Sequence, residues 1–195
     1  SMANSIEHRG PDDFGIFKEE KVALGNQRLS VIDIEGGHQP FFSADKNIIV
    51  VQNGEIFNHI ELREMLLKKG IKFSSNCDTE VILKMYELYG TDCLEYLNGM
   101  FAIAIYDKRE SKLLLIRDRL GIKPIFYTLK NNTLIFGSEI KSILKANIVK
   151  PKVSEESLFY YLKYNFVPPP FTIYENIYHL NPGCLFEFTK EKHQI

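Results

Sequence analysis

The stretch from Gly99 to Asp107 constrains the fold more than any other part of the chain. Phe101, Ile103 and Ile105 alternate there with Ala102, Ala104 and Tyr106, so a strand would be apolar on both faces. Such a strand has to lie between two layers, and its small-residue face lets one of them come close. The run Ile48, Ile49, Val50 and Val51, inside a predicted strand over 47–57, has the same two-sided character, and 21–32 also reads as a strand. A polar turn at 108–111 leads into an antiparallel return over 113–116. A second hairpin, 125–129 with 133–136, folds around Asn131 and Asn132.

Helical spacing interrupts these strands. Asn58 followed by Glu61 has the form of a capping box, with Leu62, Met65 and Leu66 on one face and Gly70 as the stop. Val81, Ile82, Met85, Tyr86 and Tyr89 predict a second helix after Asp78, ending at Gly90. A short helix takes in Ile140 and Leu144, and a last one starts at Ser154, where Glu155 and Glu156 suit the positive helix end. The fold class that follows is α+β, two stacked and mainly antiparallel sheets covered by helices. Val167 to Pro170 read as an extended connector and Pro182, Gly183 as a turn. The expected division is therefore a domain over 3–149 and a connector over 150–195.

Bulk properties exclude several function classes. A net charge of −1, without a basic tract interleaved with aromatics, gives no footprint for nucleic acid. No apolar run approaches the roughly 20 residues of a membrane span, and the first residues do not read as a signal peptide, so the expectation is no membrane partner and a cytoplasmic location. Cys77, Cys93 and Cys184 stand at unrelated spacings without a histidine in metal-ligand register, and read as structural thiols. P-loop, Rossmann, zinc and G-x-S-x-G motifs are absent, so no cofactor or metal is expected in this chain.

Three polar positions stand out against the apolar frame. Asn53, Gly54 and Glu55 follow directly on the run ending at Val51: an amide side chain beside a glycine N–H could hold an oxyanion, or Asn-Gly could simply be a hairpin turn. Arg28 sits in an apolar strand, and its planar fork fits either a substrate carboxylate or an internal partner such as Asp33 or Glu55. Asp78 could hold an ammonium group or cap the second helix.

Taken together the motifs resemble a known family. His8 to Asp13 (HRGPDD), Arg28 to Asp33 (RLSVID), Asn53 to His59 (NGEIFNH), Asp78 to Ile82 (DTEVI), Asn98 to Ala102 (NGMFA), Arg117 to Pro124 (RDRLGIKP) and Ser138 to Lys141 (SEIK) are similar, in order and spacing, to the motifs of class II glutamine amidotransferase domains. HRGPD, NGEIFNH and RDRLGIKP resemble the asparagine synthetases within that family. Tyr160 to Pro168, with Tyr174 to Ile177 and Pro182, Gly183, resembles the lead into their synthetase domain. The resemblance implies an N-terminal nucleophile hydrolase sandwich that binds L-glutamine. It implies that Arg28 grips the α-carboxylate, that Asp78 and Glu55 hold the α-amino end, that Leu29, Ser30, Val31 and Ile32 line the site, and that Asn53 and Gly54 are the oxyanion donors. ATP and magnesium would belong to a C-terminal synthetase domain of the same polypeptide.

The resemblance also implies a departure. In that family a leading cysteine attacks the amide and its own α-amino group is the base, whereas this sequence opens Ser1, Met2, which reads as a vector remnant. The expectation is a domain truncated at its N-terminus, lacking a first strand and inactive alone. Its open sheet edge would uncover Val22, Ile49 and Ile103 and invite a homo-oligomer. The alternatives are a nucleophile-less binding or scaffold domain, and the front domain of an amidotransferase acting on another carboxylate, such as a surface sugar.

Overall fold

Strand β5 (Gly99–Asp107) divides the interior as its alternation requires. Phe101, Ile103 and Ile105 enter one core, while Ala102, Ala104 and Tyr106 enter a second core behind it. The computed structural model describes residues 2–189 and 193–195; Ser1, and with it half of the vector-remnant reading, lies outside the described residues. Along its whole length β5 pairs antiparallel with β4 (Ile48–Ile56), and on its other side with β6 (Lys112–Arg117). The sheet extends through β3 (Phe41–Phe42) beside β4, and through β10 (Leu185–Thr189) and β11 (His193–Gln194) beside β6, to six strands in the order β11-β10-β6-β5-β4-β3.

Helices α1 (His59–Lys68) and α2 (Asp78–Tyr89) cover the first face, bringing Leu62, Leu66, Val81, Ile82 and Met85 onto Ile103, Ile105 and Leu114. Asn58 precedes α1 as predicted, but no capping box forms. Its Nδ2 donates to the Tyr96 carbonyl at 2.9 Å and its Oδ1 accepts from the Asn98 N–H at 3.0 Å, so the side chain ties the helix start to the entry of β5 instead.

The opposite face is covered by a second layer in two pieces. One is the hairpin of β1 (Asp13–Lys18) and β2 (Ala23–Arg28); the other is β7 (Phe126–Lys130) between β8 (Thr133–Gly137) and β9 (Tyr178–His179). Asn131 and Asn132, with φ of 50° and 55°, make the tight turn between β7 and β8. α3 (Ile140–Leu144) packs outside the second piece through Ile143. α4 (Glu155–Tyr164) starts at Ser154, whose side chain accepts the Ser157 N–H at 3.2 Å. Stacked antiparallel sheets with helices outside are thus what the alternation foretold, with the second sheet split between β2 and β8.

Three expectations need correction. The strand predicted over 21–32 ends at Arg28, because the chain turns through Asp33 (φ 51°) and Gly36. Residues 150–195 are more than a connector: β9 joins β7, β10 joins β6, and Ile177, Leu180 and Phe186 are core residues. Ile49 and Ile103 are fully buried and not uncovered, because β1 and β2 shield the first and α1 and α2 the second. No helix among the described residues is long and apolar enough to cross a membrane.

Ile105, fully buried between β5 and α2, sets a test of this packing. Ile105→Ala is expected to lower unfolding stability by about 2 to 5 kcal/mol. Leu162→Ala, at a position 76% exposed on α4, should change it by less than about 0.5 kcal/mol, both read from urea denaturation midpoints.

Candidate functional site

The C-terminal half of β4 is where the strand stops being apolar. Gln52, Asn53, Gly54 and Glu55 form part of the wall of a cavity of about 480 Å³, a size that suits a small molecule. Asn53 and Gly54 are inside the strand, paired with Ala102 and Phe101 of β5, so the hairpin-turn alternative is excluded. Gly54 has φ +145°, and a Cβ there would collide with the Met100 carbonyl oxygen across the ladder; only glycine lets β4 and β5 approach this closely. Among the described residues the Asn53 amide has one loose partner, Ser138 Oγ at 3.5 Å.

Asp78 opens α2 but does not cap it. The N-cap position belongs to Cys77, and the Asp78 carboxylate turns back to β4, where Oδ2 accepts from the Ile56 N–H at 2.9 Å and from Gln52 Nε2 at 3.1 Å. Gln52 also accepts from the Thr79 hydroxyl at 2.8 Å, and its backbone N–H donates to Gln39 Oε1 at 2.7 Å. This buried network locks the end of β4 to the start of α2. Asp78 and Glu55 put negative charge in the cavity wall; Arg28, Lys123 and Arg9 put positive charge there.

Arg28 closes the cavity from β2, and neither Asp33 nor Glu55 pairs with its guanidinium. Nη2 donates to the backbone carbonyls of Ile32 at 2.8 Å and Asp33 at 2.7 Å, and Nη1 to that of Ile34 at 3.1 Å; the nearest carboxylate is Asp13, at 4.0 Å. Three of the five guanidinium N–H groups therefore shape the loop after β2, which presents Leu29, Val31 and Ile32 to the cavity. Ser30 is not in that wall; its N–H donates to Asp12 Oδ2 at 2.8 Å. At the mouth, Glu139 gathers His8 at 2.9 Å, Lys141 at 3.0 Å and Arg9 at 3.3 Å.

Sequence reasoning did not single out Met100 and Lys123 for the cavity. Lys123 is placed by the RDRLGIKP segment, whose first two residues divide the work. The Asp118 carboxylate accepts backbone N–H groups of Ile122 and Lys123 at 2.9 Å, Leu120 at 3.1 Å and Phe101 at 3.3 Å. The Arg117 guanidinium donates to the carbonyls of Gly121 and Leu180 at 2.6 Å and Lys123 at 2.9 Å. The motif itself was the available signal: an adjacent Arg-Asp before Gly and Pro is a loop clamp.

None of the three thiols is placed to attack a ligand. Cys93 lies inside the first core, and burial pushes its pKa up to about 12. Cys77 reaches the cavity wall, but it is buried, its pKa is raised by that burial, and its Sγ bonds Asp78 and Thr79. Cys184 packs against the second core. Among the described residues no group of three His, Cys, Asp or Glu could hold a metal ion.

A second cavity, of about 460 Å³ and more apolar, fills the gap between β2 and β8. Its sides are residues 23–26 and 133–137, its floor is Val51, Ala102, Ala104 and Ile125, and Met2, Ala3 and Ile6 from the first turns of the chain also border it. The small residues of β5 are what leave this space. Asn26, Gln52 and Asn53 line both cavities, so the two meet at the polar end of β4.

The family described as glutamine amidotransferase domain matches residues 1–195. A putative glutamine-hydrolysing asparagine synthetase 2 of Methanocaldococcus jannaschii is 38% identical over 215 aligned residues, covering 100% of this chain and 41% of its own length. Glutamine-hydrolysing asparagine synthetase 1 of Bacillus subtilis is 42% identical over 186 residues, covering 95% of this chain and 29% of its own. The chain thus spans less than half the length of these curated relatives. Among solved structures, glutamine phosphoribosylpyrophosphate amidotransferase of B. subtilis, complexed with ADP and GMP, superposes with a TM-score of 0.69 over 98% of this chain and 44% of that one, at 17% identity. That likeness is one of fold.

The Asp118 clamp predicts an acid response. Burial alone would raise its carboxyl pKa, but the N–H groups of Lys123, Ile122, Phe101 and Leu120 hold it below the ordinary 3.8. A folded-state pKa below the unfolded one gives stability that is present above pH 3.8 and is lost as pH falls through the depressed value. Asp118→Asn should cost about 1 to 3 kcal/mol at neutral pH. Urea midpoints of parent and variant should converge as the solution is acidified below about pH 4.

Proposed function

Because the chain belongs to the glutamine amidotransferase domain family, we propose that its first cavity takes L-glutamine and hydrolyses the side-chain amide. The observation that carries this reading is the pair of donors at the end of β4: the loosely held Asn53 amide beside Gly54, in the wall of a cavity that bears both signs of charge. The guanidinium of Arg28, with two N–H groups not bonded to the loop after β2, suits the α-carboxylate, and Asp78 and Glu55 suit the α-ammonium. Leu29, Val31 and Ile32 enclose the aliphatic stem. Asn53 Nδ2 and the Gly54 N–H then face the oxygen that becomes an oxyanion.

The chemistry needs a nucleophile, which the three thiols do not supply. In our reading the gap between β2 and β8 receives a strand headed by a cysteine, which unites the two pieces of the second sheet and brings the thiol to the junction beside Asn53. The α-amino group of that residue takes the thiol proton, and sulfur adds to the glutamine amide carbon. The C–N bond breaks as the ammonium returns its proton to the leaving nitrogen, releasing ammonia; water then cleaves the thioester to glutamate. In the longer polypeptide, located in the cytoplasm, the ammonia passes to a synthetase part that uses ATP and magnesium to amidate aspartate. The placement of the thiols favours a second reading, a binding or scaffold domain, in which no such strand enters.

Two measurements separate these readings. Ammonia release from glutamine by the whole protein should fall about 10²- to 10³-fold in kcat for Asn53→Ala, the loss that follows removal of one oxyanion donor. The 195-residue chain alone should release ammonia no faster than background, and an activity that vanishes on Cys77→Ala would overturn the assignment of that thiol. Glutamine titrated into the same chain should bind with a Kd of order millimolar, about 4 kcal/mol. Arg28→Ala binding as tightly as the parent in calorimetry would remove the carboxylate role from Arg28.

A further inference from the structure

Asn26 stands on the inward face of β2, between the buried Leu24 and Arg28, at the place where the two cavities meet. Its Nδ2 donates to the Gln52 carbonyl at 3.0 Å. A carbonyl can only accept, so this bond fixes which end of the carboxamide is nitrogen and turns the oxygen the other way. That oxygen, Asn26 Oδ1, is buried and has no hydrogen-bond donor among the described residues. It is a held acceptor beside Asn53, awaiting an N–H or O–H at the junction.

We propose that Asn26 is the positioning residue for the catalytic base, with Oδ1 accepting an N–H of the α-amino group that heads the strand in the second cavity. The inference rests on the reading that a leading cysteine enters this junction. A neutral amine has two N–H groups and one lone pair. For the lone pair to face the thiol proton, an N–H must be held elsewhere, and the acceptor at Asn26 does that. When the thiol proton moves to nitrogen, the same oxygen faces an ammonium and stabilises it, which strengthens the base. Asn53 and Gly54 remain free for the substrate oxygen.

The test is the pH profile of glutamine hydrolysis by the whole protein in the parent, Asn26→Leu and Asn26→Asp. Activity requires the neutral amine, so the acid limb reports its pKa. A carboxylate at position 26 favours the ammonium and should move that limb up by about one to three pH units, while leucine, without an acceptor, should move it down. The KM for glutamine should change much less than kcat in both. The rate at which cyanate carbamylates the α-amino group, followed by mass in a background whose leading cysteine is alanine, gives the same pKa without catalysis and should shift in the same two directions. Coincident acid limbs and coincident carbamylation profiles in all three proteins would overturn the role of Asn26, leaving it a tie between β2 and β4. Undiminished hydrolysis after the leading cysteine is changed to alanine would instead overturn the reading beneath it.

Discussion

The pairing of β4 with β5 is the constraint on which the rest of the molecule depends. β5 has no polar face, so it is stable only with a layer on each side, and the register that buries it fixes Asn53 opposite Ala102 and Gly54 opposite Phe101. A slip of one residue would turn Ile103 and Ile105 toward the space now shared by Ala102 and Ala104. The unequal size of the two faces then shapes both sides: large side chains fill the space beneath α1 and α2, and the alanines leave the second cavity open. The site therefore belongs to the main core and not to a surface loop.

Polar groups at the edge of that core are held by backbone, and this is what keeps them still. Asp118 accepts four backbone N–H groups and Asp78 accepts one, from Ile56, together with the Gln52 side-chain amide; Arg28 and Arg117 each donate to three backbone carbonyls, and each of the four organises a segment that borders the first cavity. Most of these backbone groups lie in loops or at strand ends, outside the reach of a neighbouring strand, and would otherwise be left without a partner, at a cost of about 1 to 3 kcal/mol for each one buried. The charges at the cavity are thus consequences of loop closure as well as tools for a ligand.

What the sequence made legible follows the range of the forces involved. Alternation in β5, the Asn131-Asn132 turn and the Ser154 cap are local, and the chain obeys them. Asn53-Gly54 was ambiguous because its local chemistry is that of a hairpin turn, whereas the glycine is required by the Met100 carbonyl across the ladder, forty-odd residues away along the chain. Asp78 had the composition of a cap, yet its partners are on β4. Arg28 announced a need for an anion, and loop carbonyls meet much of that need, a partner type that leaves no mark in a sequence. Asn26 gave no signal at all, since its significance lies in an oxygen without a donor among the described residues.

The junction of the two cavities shows why one strand end carries so much. A tetrahedral intermediate needs donors for its oxygen, whereas an amine acting as base needs an acceptor for its N–H, and the two must not pair with each other. Asn26 and Asn53 are both carboxamides and could satisfy one another. Here the amide nitrogen of Asn26 is tied to the Gln52 carbonyl, and that of Asn53 has, among the described residues, the distant Ser138 hydroxyl. One carboxamide therefore offers the site an oxygen, and the other offers a nitrogen. The difference arises because Asn26 lies on β2 facing a β4 carbonyl, while Asn53 lies within β4 itself. Opposite polarity from one residue type is a product of where two strands pack, and it gives the junction both an acceptor and a donor without placing a charge there.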